Sequence, residues 1–244
     1  MTQTSVSTGS APARLSLPAR FVGIITSPKD TFQSVVAHPR WFGMLVLVTI
    51  LAAVCTALPM TTEAGQEASL RASIEGMESF GMTVTDQVYE QMRRRLWMAP
   101  YQTAAGILIG SPIFTVIIAG ILFVVFNVVM AGGATFKQLF AVLVHASAIS
   151  ALQQLFTGPV NYFRGAVTSA TNLAVLMPTV DAKSFLGRVL AMTDLFLIWY
   201  LLVLAIGLGV LYRRRTQPIA IALYSVYAVI VIGFAAVMSR LGGS

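Results

Sequence analysis

The sequence predicts an all-α membrane protein in which five transmembrane helices form a compact bundle. Hydrophobic residues make up 57% of the chain and charged residues only 10%, against roughly 25% charged residues in soluble domains. The apolar residues are concentrated in five blocks, and each is close to the roughly 20 residues that a helix needs to cross a bilayer. A membrane β-barrel would instead show short alternating segments, and the sequence contains none.

The amino-terminal segment differs from the rest of the chain. Residues 1–20 are rich in Ser, Thr, Ala and Pro and lack the apolar core of a signal peptide. We therefore predict a disordered polar tail over residues 1–20 and one integral membrane domain over residues 21–240. Cys55 is the only cysteine of the chain, which excludes an internal disulfide and a thiolate metal cluster.

A short amphipathic helix is predicted immediately before the first span. Ser27 is a suitable cap and Pro28 a suitable first residue for this helix. Phe32 and Val35 then lie on one face, and the helix is flanked by basic residues and by Trp41. This pattern is typical of a helix lying in the membrane interface, and a simple polar linker is the alternative.

The apolar blocks place the five spans. They cover about 41–58, 104–130, 139–156, 190–212 and 219–238, and the apolar block of the fourth is continuous only from residue 195. Very short connections join the second span to the third and the fourth to the fifth, so each pair is expected to form an antiparallel hairpin. Thr135 and Gln138 have the spacing of a capping box at the start of the third span.

The two longer connections carry their own patterns. Between the first two spans, apolar residues recur at helical spacing in two sets, which predicts two short amphipathic helices; these residues are Leu70, Ile74, Met77, Val88, Met92 and Leu96. The connection over residues 157–184 is mildly polar and too short to cross the membrane. We expect it to dip into the interface or to re-enter between helices.

The basic residues indicate the partner and the orientation. The formal charge of +7 comes from 16 Lys and Arg residues distributed over termini and loops, which favours anionic lipid head groups over nucleic acid. Basic residues divide evenly between the two sides of the membrane. The three arginines in the tight loop at 213–215 are hard to move across the membrane, so they favour an amino terminus in the cytoplasm. The candidate lipid or partner surface comprises Lys29, Phe32, Arg40, Trp41, Arg213, Arg214 and Arg215.

Three segments carry a family resemblance. "SPKDTFQSVVAHPRWF" resembles the amino-terminal signature of bacterial members of the Yip (Ypt-interacting protein) family, "GGATFKQLFAVLVHA" resembles the opening of their third span, and "TDLFLIWYLLVLAIGLG" is similar to their fourth. The resemblance extends over nearly the whole chain. It implies a five-helix bundle with a cytoplasmic amino terminus, and we expect the chain in a bacterial inner membrane.

The resemblance also bears on partners. Eukaryotic members bind Rab-type GTPases, but this chain has "AHPRWF" in place of their Asp-x-x-Gly-Pro stretch, which argues against a GTPase partner. Two pairs of small residues spaced four apart, Gly106 with Gly110 and Ala205 with Gly209, would permit close contact with a membrane-protein partner or in a homodimer.

Polar residues inside spans define a candidate intramembrane site. An ionisable residue at the centre of a span costs about 2.5–3.5 kcal/mol on insertion scales, so Asp194 and His145 are candidates for a common polar cavity, and the polar amide of Asn127 is the third candidate. Asp194 could instead be an interfacial carboxylate favoured by a helix dipole. His145 and Asn127 could instead form hydrogen bonds between helices.

Two functions follow as hypotheses. The first is a non-enzymatic membrane organiser or partner-binding scaffold at the cytoplasmic leaflet. The second is a small transporter or channel that uses the polar residues named above. An enzyme is disfavoured because the sequence shows no acid–base pair or nucleophile motif. No closed ligand spacing indicates a metal site, and we expect no cofactor.

Overall fold

The computed structural model describes residues 14–241, and these residues form an all-helical bundle without a β-strand. Five helical segments are long and apolar enough to cross a membrane, which confirms the predicted fold class. These segments, numbered here as spans one to five, are Phe42–Thr61, Leu96–Val129, Phe136–Arg164, Leu195–Tyr212 and Thr216–Arg240.

Eleven α-helices make up the described part of the chain. In chain order they are α1 (Leu17–Thr26), α2 (Pro28–Ala37), α3 (Phe42–Ala57), α4 (Glu63–Ser79), α5 (Asp86–Arg94), α6 (Ala99–Phe123), α7 (Phe136–Ala146), α8 (Ala148–Arg164), α9 (Phe185–Met192), α10 (Leu195–Tyr212) and α11 (Thr216–Leu241).

Span three forms the centre of the bundle. Its first half, α7, begins at the predicted capping box between Thr135 and Gln138, and every residue from Leu139 to Ala146 is buried. A helix that is buried all round needs neighbours on every side, and α7 packs against α1, α2, α3, α6 and α10. Span two, by contrast, is the least buried of the five and turns most of its apolar side chains outward.

The amino-terminal region corrects two sequence predictions. Helix α1 begins at Leu17, inside the segment predicted as a disordered tail, because Ser16 caps it and because Phe21 and Ile24 pack against the core. Residues 1–13 of that predicted tail lie outside the described residues. Helix α2 begins at Pro28 as predicted, but its apolar face packs against α10 and α7 instead of lipid.

The connection between spans three and four also differs from expectation. Helix α8 continues past the predicted end of span three to Arg164, where Gly165 adopts a left-handed conformation with φ +58°. The chain then packs against α9 and the start of α10 through an antiparallel bridge between Asn172 and Asp194. Span four begins at Leu195 instead of residue 190, because α9 ends at Met192 and the backbone is extended at Asp194.

The remaining connection matches its prediction. Helices α4 and α5 occupy the segment between spans one and two, each opened by a threonine side chain that accepts a backbone hydrogen bond. Alternation of the five spans then puts the connections at two ends of the bundle. We name the end formed by residues 14–41, 130–137 and 213–215 the amino-terminal end, and the end formed by residues 62–95 and 164–194 the distal end.

Candidate functional site

The charge of the protein is divided unequally between the two ends. The amino-terminal end carries one acidic residue, Asp30, and eight basic residues, which are Arg14, Arg20, Lys29, Arg40, Lys137, Arg213, Arg214 and Arg215. The distal end, taken with Arg240 at the close of span five, carries eight acidic and eight basic residues. The formal charge of +7 therefore belongs to the amino-terminal end.

The arginine loop lies at the tip of the amino-terminal end. Arg213, Arg214 and Arg215 are all exposed, and Arg213 closes α10 in a left-handed conformation with φ 51°. Arg214 Nη2 donates to Met130 O at 3.2 Å. This bond connects the loop to the carbonyl that ends span two, while Arg213 and Arg215 are exposed.

The other residues of the predicted lipid surface have different surroundings. Lys29 and Arg40 are exposed, whereas Trp41 is half-buried with its ring edge on Phe140 at a centroid distance of 5.1 Å. Phe32 is 0% exposed and cannot contact lipid. It packs on Gly207 of span four, because only a residue without a side chain leaves room for its ring there.

Arg20 is a functional candidate that the sequence analysis missed. It is 8% exposed, and its Nη1 lies 2.6 Å from Arg40 O and 3.0 Å from His145 Nε2. A guanidinium can only donate hydrogen bonds, so His145 Nε2 accepts. His145 Nδ1 therefore carries the proton and donates to Ala141 O at 2.7 Å, which makes the imidazole a neutral bridge between α1 and span three.

Arg20 is unusual because it is a buried cation that pairs with no carboxylate in the described part of the chain. Its Nε makes no hydrogen bond. Burial, followed by the neighbouring charge of Arg40, lowers the pKa of Arg20 below its ordinary value. Sequence reasoning could not have found this residue, because its partner on span three lies far away along the chain.

Asn127 connects spans two and four at the amino-terminal end. Its Oδ1 accepts a hydrogen bond from Tyr212 OH at 2.8 Å, and its Nδ2 donates to Ala134 O. The ring of Tyr212 stacks on Phe126 with a centroid distance of 4.9 Å. Asn127 therefore makes an interhelical hydrogen bond, to Tyr212, which was the alternative to a polar-site role.

Asp194 organises the distal end. Its Oδ2 accepts hydrogen bonds from Ser169 Oγ at 2.8 Å and from Thr171 Oγ1 at 2.6 Å. Its Oδ1 accepts from the backbone N–H of Phe196 at 2.8 Å, so Asp194 is the N-cap of span four. Gln153 Nε2 donates to Thr171 Oγ1 at 3.0 Å, which extends the network to span three.

The structure does not bring the three predicted polar-site residues together. Asp194 caps one end of α10, and Asn127 bonds to Tyr212 at the other end of the same 18-residue helix. At 1.5 Å per residue these ends are about 27 Å apart. The two ring nitrogens of His145 are hydrogen-bonded to Arg20 and to Ala141 O, and neither is bonded to Asp194 or Asn127. Among the described residues, no group of three His, Cys, Asp or Glu side chains could hold a metal ion.

These features define a multi-pass, all-helical integral membrane protein with one strongly basic end. The chain belongs to the Yip1 domain family, whose model matches residues 22–238. It is similar to "Membrane protein YknW" of Bacillus subtilis (strain 168), with 27% identity over 223 residues that cover 91% of this chain and 88% of the relative. No solved structure matches the chain.

Proposed function

We propose that the protein is a non-enzymatic membrane organiser whose amino-terminal end lies at the cytoplasmic leaflet and binds anionic lipid head groups. The observation that carries the proposal is the charge asymmetry between the two ends of the bundle. Each Lys or Arg close to an anionic membrane surface contributes about 1 kcal/mol of attraction. The arginine loop and the exposed Lys29, Arg40 and Lys137 all lie at one end.

The chemistry of that end supports lipid binding because its cations have few internal partners. Asp30 is the only carboxylate there, and the one salt bridge among residues 14–241, between Arg71 and Glu67, is at the distal end. The guanidinium groups of the arginine loop are therefore available to phosphate oxygens, which arginine binds through paired N–H donors.

The proposed orientation follows from the same residues. Basic residues in short loops resist transfer across the membrane, so a loop of three consecutive arginines favours the cytoplasmic side. We place the protein in a bacterial inner membrane with its amino terminus in the cytoplasm. Reporter fusions at the amino terminus and after Arg95 test this: the first should report the cytoplasm and the second the opposite side.

A matched pair of triple variants tests the lipid surface. Arg213, Arg214 and Arg215 are replaced by Ala in one variant, and Arg93, Arg94 and Arg95 in the control. Both sets are three consecutive exposed arginines, but they lie at opposite ends of the bundle. Deleting α2 would be a poor test, because Phe32 and Val35 belong to the core.

The measurement is the thermal unfolding of each purified protein in neutral detergent with added phosphatidylglycerol or phosphatidylcholine. We expect phosphatidylglycerol to raise the unfolding temperature of the wild type and of the 93–95 variant, and to have clearly less effect on the 213–215 variant. The effect should weaken at high salt, since salt screens exposed charges. An equal response of all three proteins, or an equal response to both lipids, contradicts the proposal.

A further inference from the structure

A cleft opens at the amino-terminal end, where the loop after span two meets the start of span three and the end of span four. Its volume is about 440 Å³, which lies in the range of roughly 300–1,000 Å³ that small-molecule sites occupy. Both charged and apolar residues line it. They include Val36, Gly133, Gln138, Val210, Arg213 and Arg214.

The charged residues that line this cleft are both cationic. They are Arg213 and Arg214, and both are exposed to solvent. Asp30, the one carboxylate at this end of the bundle, is not among the lining residues. Because like charges at one cleft repel each other, an anion held beside the two guanidinium groups would stabilise them.

The two arginines also have unused hydrogen-bond donors. Each guanidinium carries five N–H groups. Arg214 uses one nitrogen, in the 3.2 Å bond from Nη2 to Met130 O, and the Arg213 side chain donates to no other group among residues 14–241. The backbone N–H of the exposed Gly133 is also unpaired in that part of the chain. Phosphate oxygens bind donors of both kinds.

Hydrogen bonds hold the walls of the cleft in place. The bond from Arg214 to Met130 O joins the arginine loop to the loop after span two. Gln138 Nε2 donates to Val36 O at 3.2 Å, while Gln138 Oε1 accepts from the backbone N–H of Thr135 at 3.0 Å. These bonds join α2, the loop and span three. Because the walls are set before a ligand arrives, binding costs little ordering.

The apolar part of the lining indicates that a lipid carries the anion. Val36, Val210 and Leu211 are half-buried and line the same cleft as the arginines. Val210 and Leu211 belong to the last turn of span four, so the cleft lies where that span would leave the membrane. A phospholipid presents a phosphate beside an apolar part at this level, whereas a small soluble phosphate compound would gain nothing from these three side chains.

We propose that this cleft holds the phosphate group of one phospholipid, with Arg213 and Arg214 as its cationic ligands. This site deepens the proposed function, on which it rests, because it narrows a general attraction for anionic lipid to one place. A phosphomonoester carries about −1.5 to −2 charges at pH 7, whereas a phosphodiester carries a single charge. Two arginines therefore favour the phosphomonoester of phosphatidic acid over the phosphodiester of phosphatidylglycerol.

Titration calorimetry of the purified full chain in neutral detergent compares three ligands. They are short-chain phosphatidic acid, short-chain phosphatidylglycerol and glycerol 3-phosphate, which has the same phosphomonoester without acyl chains. We expect phosphatidic acid to bind at a single saturable site and more tightly than the other two. Equal binding of glycerol 3-phosphate would assign the cleft to a soluble phosphate compound and contradict a lipid ligand. Equal binding of phosphatidylglycerol would contradict the preference for a phosphomonoester.

Three single variants distinguish the cleft from a general basic surface. Arg213→Gln and Arg214→Gln each remove a charge that lines the cleft, and Arg215→Gln removes the neighbouring charge, which does not line it. We expect each of the first two to weaken phosphatidic acid binding by about tenfold or more, because a hydrogen bond to a charged group is worth that much. Arg215→Gln should weaken it by about threefold or less, since its charge acts through screening solvent.

The unfolding temperature of each variant without lipid shows whether a loss of affinity reflects a loss of fold. Arg214→Lys is a further variant that keeps the charge and loses the paired donors, and it should also bind phosphatidic acid more weakly than the wild type. Equal losses in the three glutamine variants would overturn the cleft as a site and leave the general lipid surface standing. A wild type that binds both anionic lipids no better than short-chain phosphatidylcholine would contradict the proposed function as well.

Discussion

At the amino-terminal end of the bundle, two helices that precede span one fold back into the core and leave their charges outside. At the distal end, loops and spans are instead held together by hydrogen bonds between side chains around Asp194. The first arrangement gives a largely apolar interior below a basic surface, interrupted by the hydrogen bonds of Arg20 with His145 and of Asn127 with Tyr212. The second gives a polar interior below a surface whose charges balance. The comparison teaches that one end presents charge outward while the other keeps polar groups inside.

The largest expected effect tests whether α2 is a core element. Phe32→Ala removes a ring that is 0% exposed, and we expect it to lower the free energy of unfolding by about 3–5 kcal/mol. Phe42→Ala is the control at the same end, because Phe42 is 67% exposed. Denaturation in mixed micelles measures both variants. If they lose equal stability, α2 does not contribute to the core.

A smaller effect is expected where α2 meets span four. In Gly207→Ala, the added methyl group would lie 2.6 Å from Val142 Cγ1 and 2.9 Å from Phe32 Cε1, so the neighbours must move. We expect a loss of about 1–3 kcal/mol from this overpacking. Gly233→Ala on span five meets no atom within 4 Å and should not destabilise. The same unfolding assay measures both variants. A Gly207→Ala variant with unchanged stability would show that α2 packs loosely.

Asp194→Ala tests how much the distal network contributes. The variant loses the helix cap and leaves the hydroxyl groups of Ser169 and Thr171 without their acceptor. We expect a loss of about 1–2 kcal/mol. The control is Asp181→Ala in an exposed loop, where only the backbone N–H of Lys183 is bonded to the carboxylate. If the two variants lose equal stability, the network around Asp194 contributes no more to the free energy of unfolding than an exposed carboxylate does.

Tyr212→Phe should give the smallest change. It keeps the ring that stacks on Phe126 and removes only the hydrogen bond to Asn127, which is worth about 0.5–1.5 kcal/mol. Tyr101→Phe is a suitable control because Tyr101 is 70% exposed. Hydrogen exchange at the ends of spans two and four, compared between the variants, would locate the change. Unaltered exchange there would argue against a role for this bond.

Much of the fold could be predicted because it depends on local properties. The length of each apolar block placed the five spans, and the Thr135–Gln138 spacing placed the start of span three. A position of Asp194 near the amino terminus of a helix was also among the alternatives, since the helix dipole favours a carboxylate there.

The rest could not be predicted, because it depends on contacts between distant parts of the chain. An amphipathic helix can cover its apolar face with lipid or with protein. Only the position of α10 shows that the apolar face of α2, which includes Phe32, is covered by protein. Arg20 similarly looked like a tail residue until His145 supplied its partner. The partners of Asp194 lie in a connection that carries no strong pattern.

The packing of α2 on span four also constrains how the protein is made. The ribosome completes α2 long before it reaches α10, so the final partner of Phe32 does not yet exist when the first three spans enter the bilayer. During that interval α7 can cover part of the apolar face of α2, but the part that packs on α10 has no protein partner. Helix α2 is therefore made early and completes its packing late. In a nascent protein halted before its fourth span, the face that packs on α10 would be exposed to proteases.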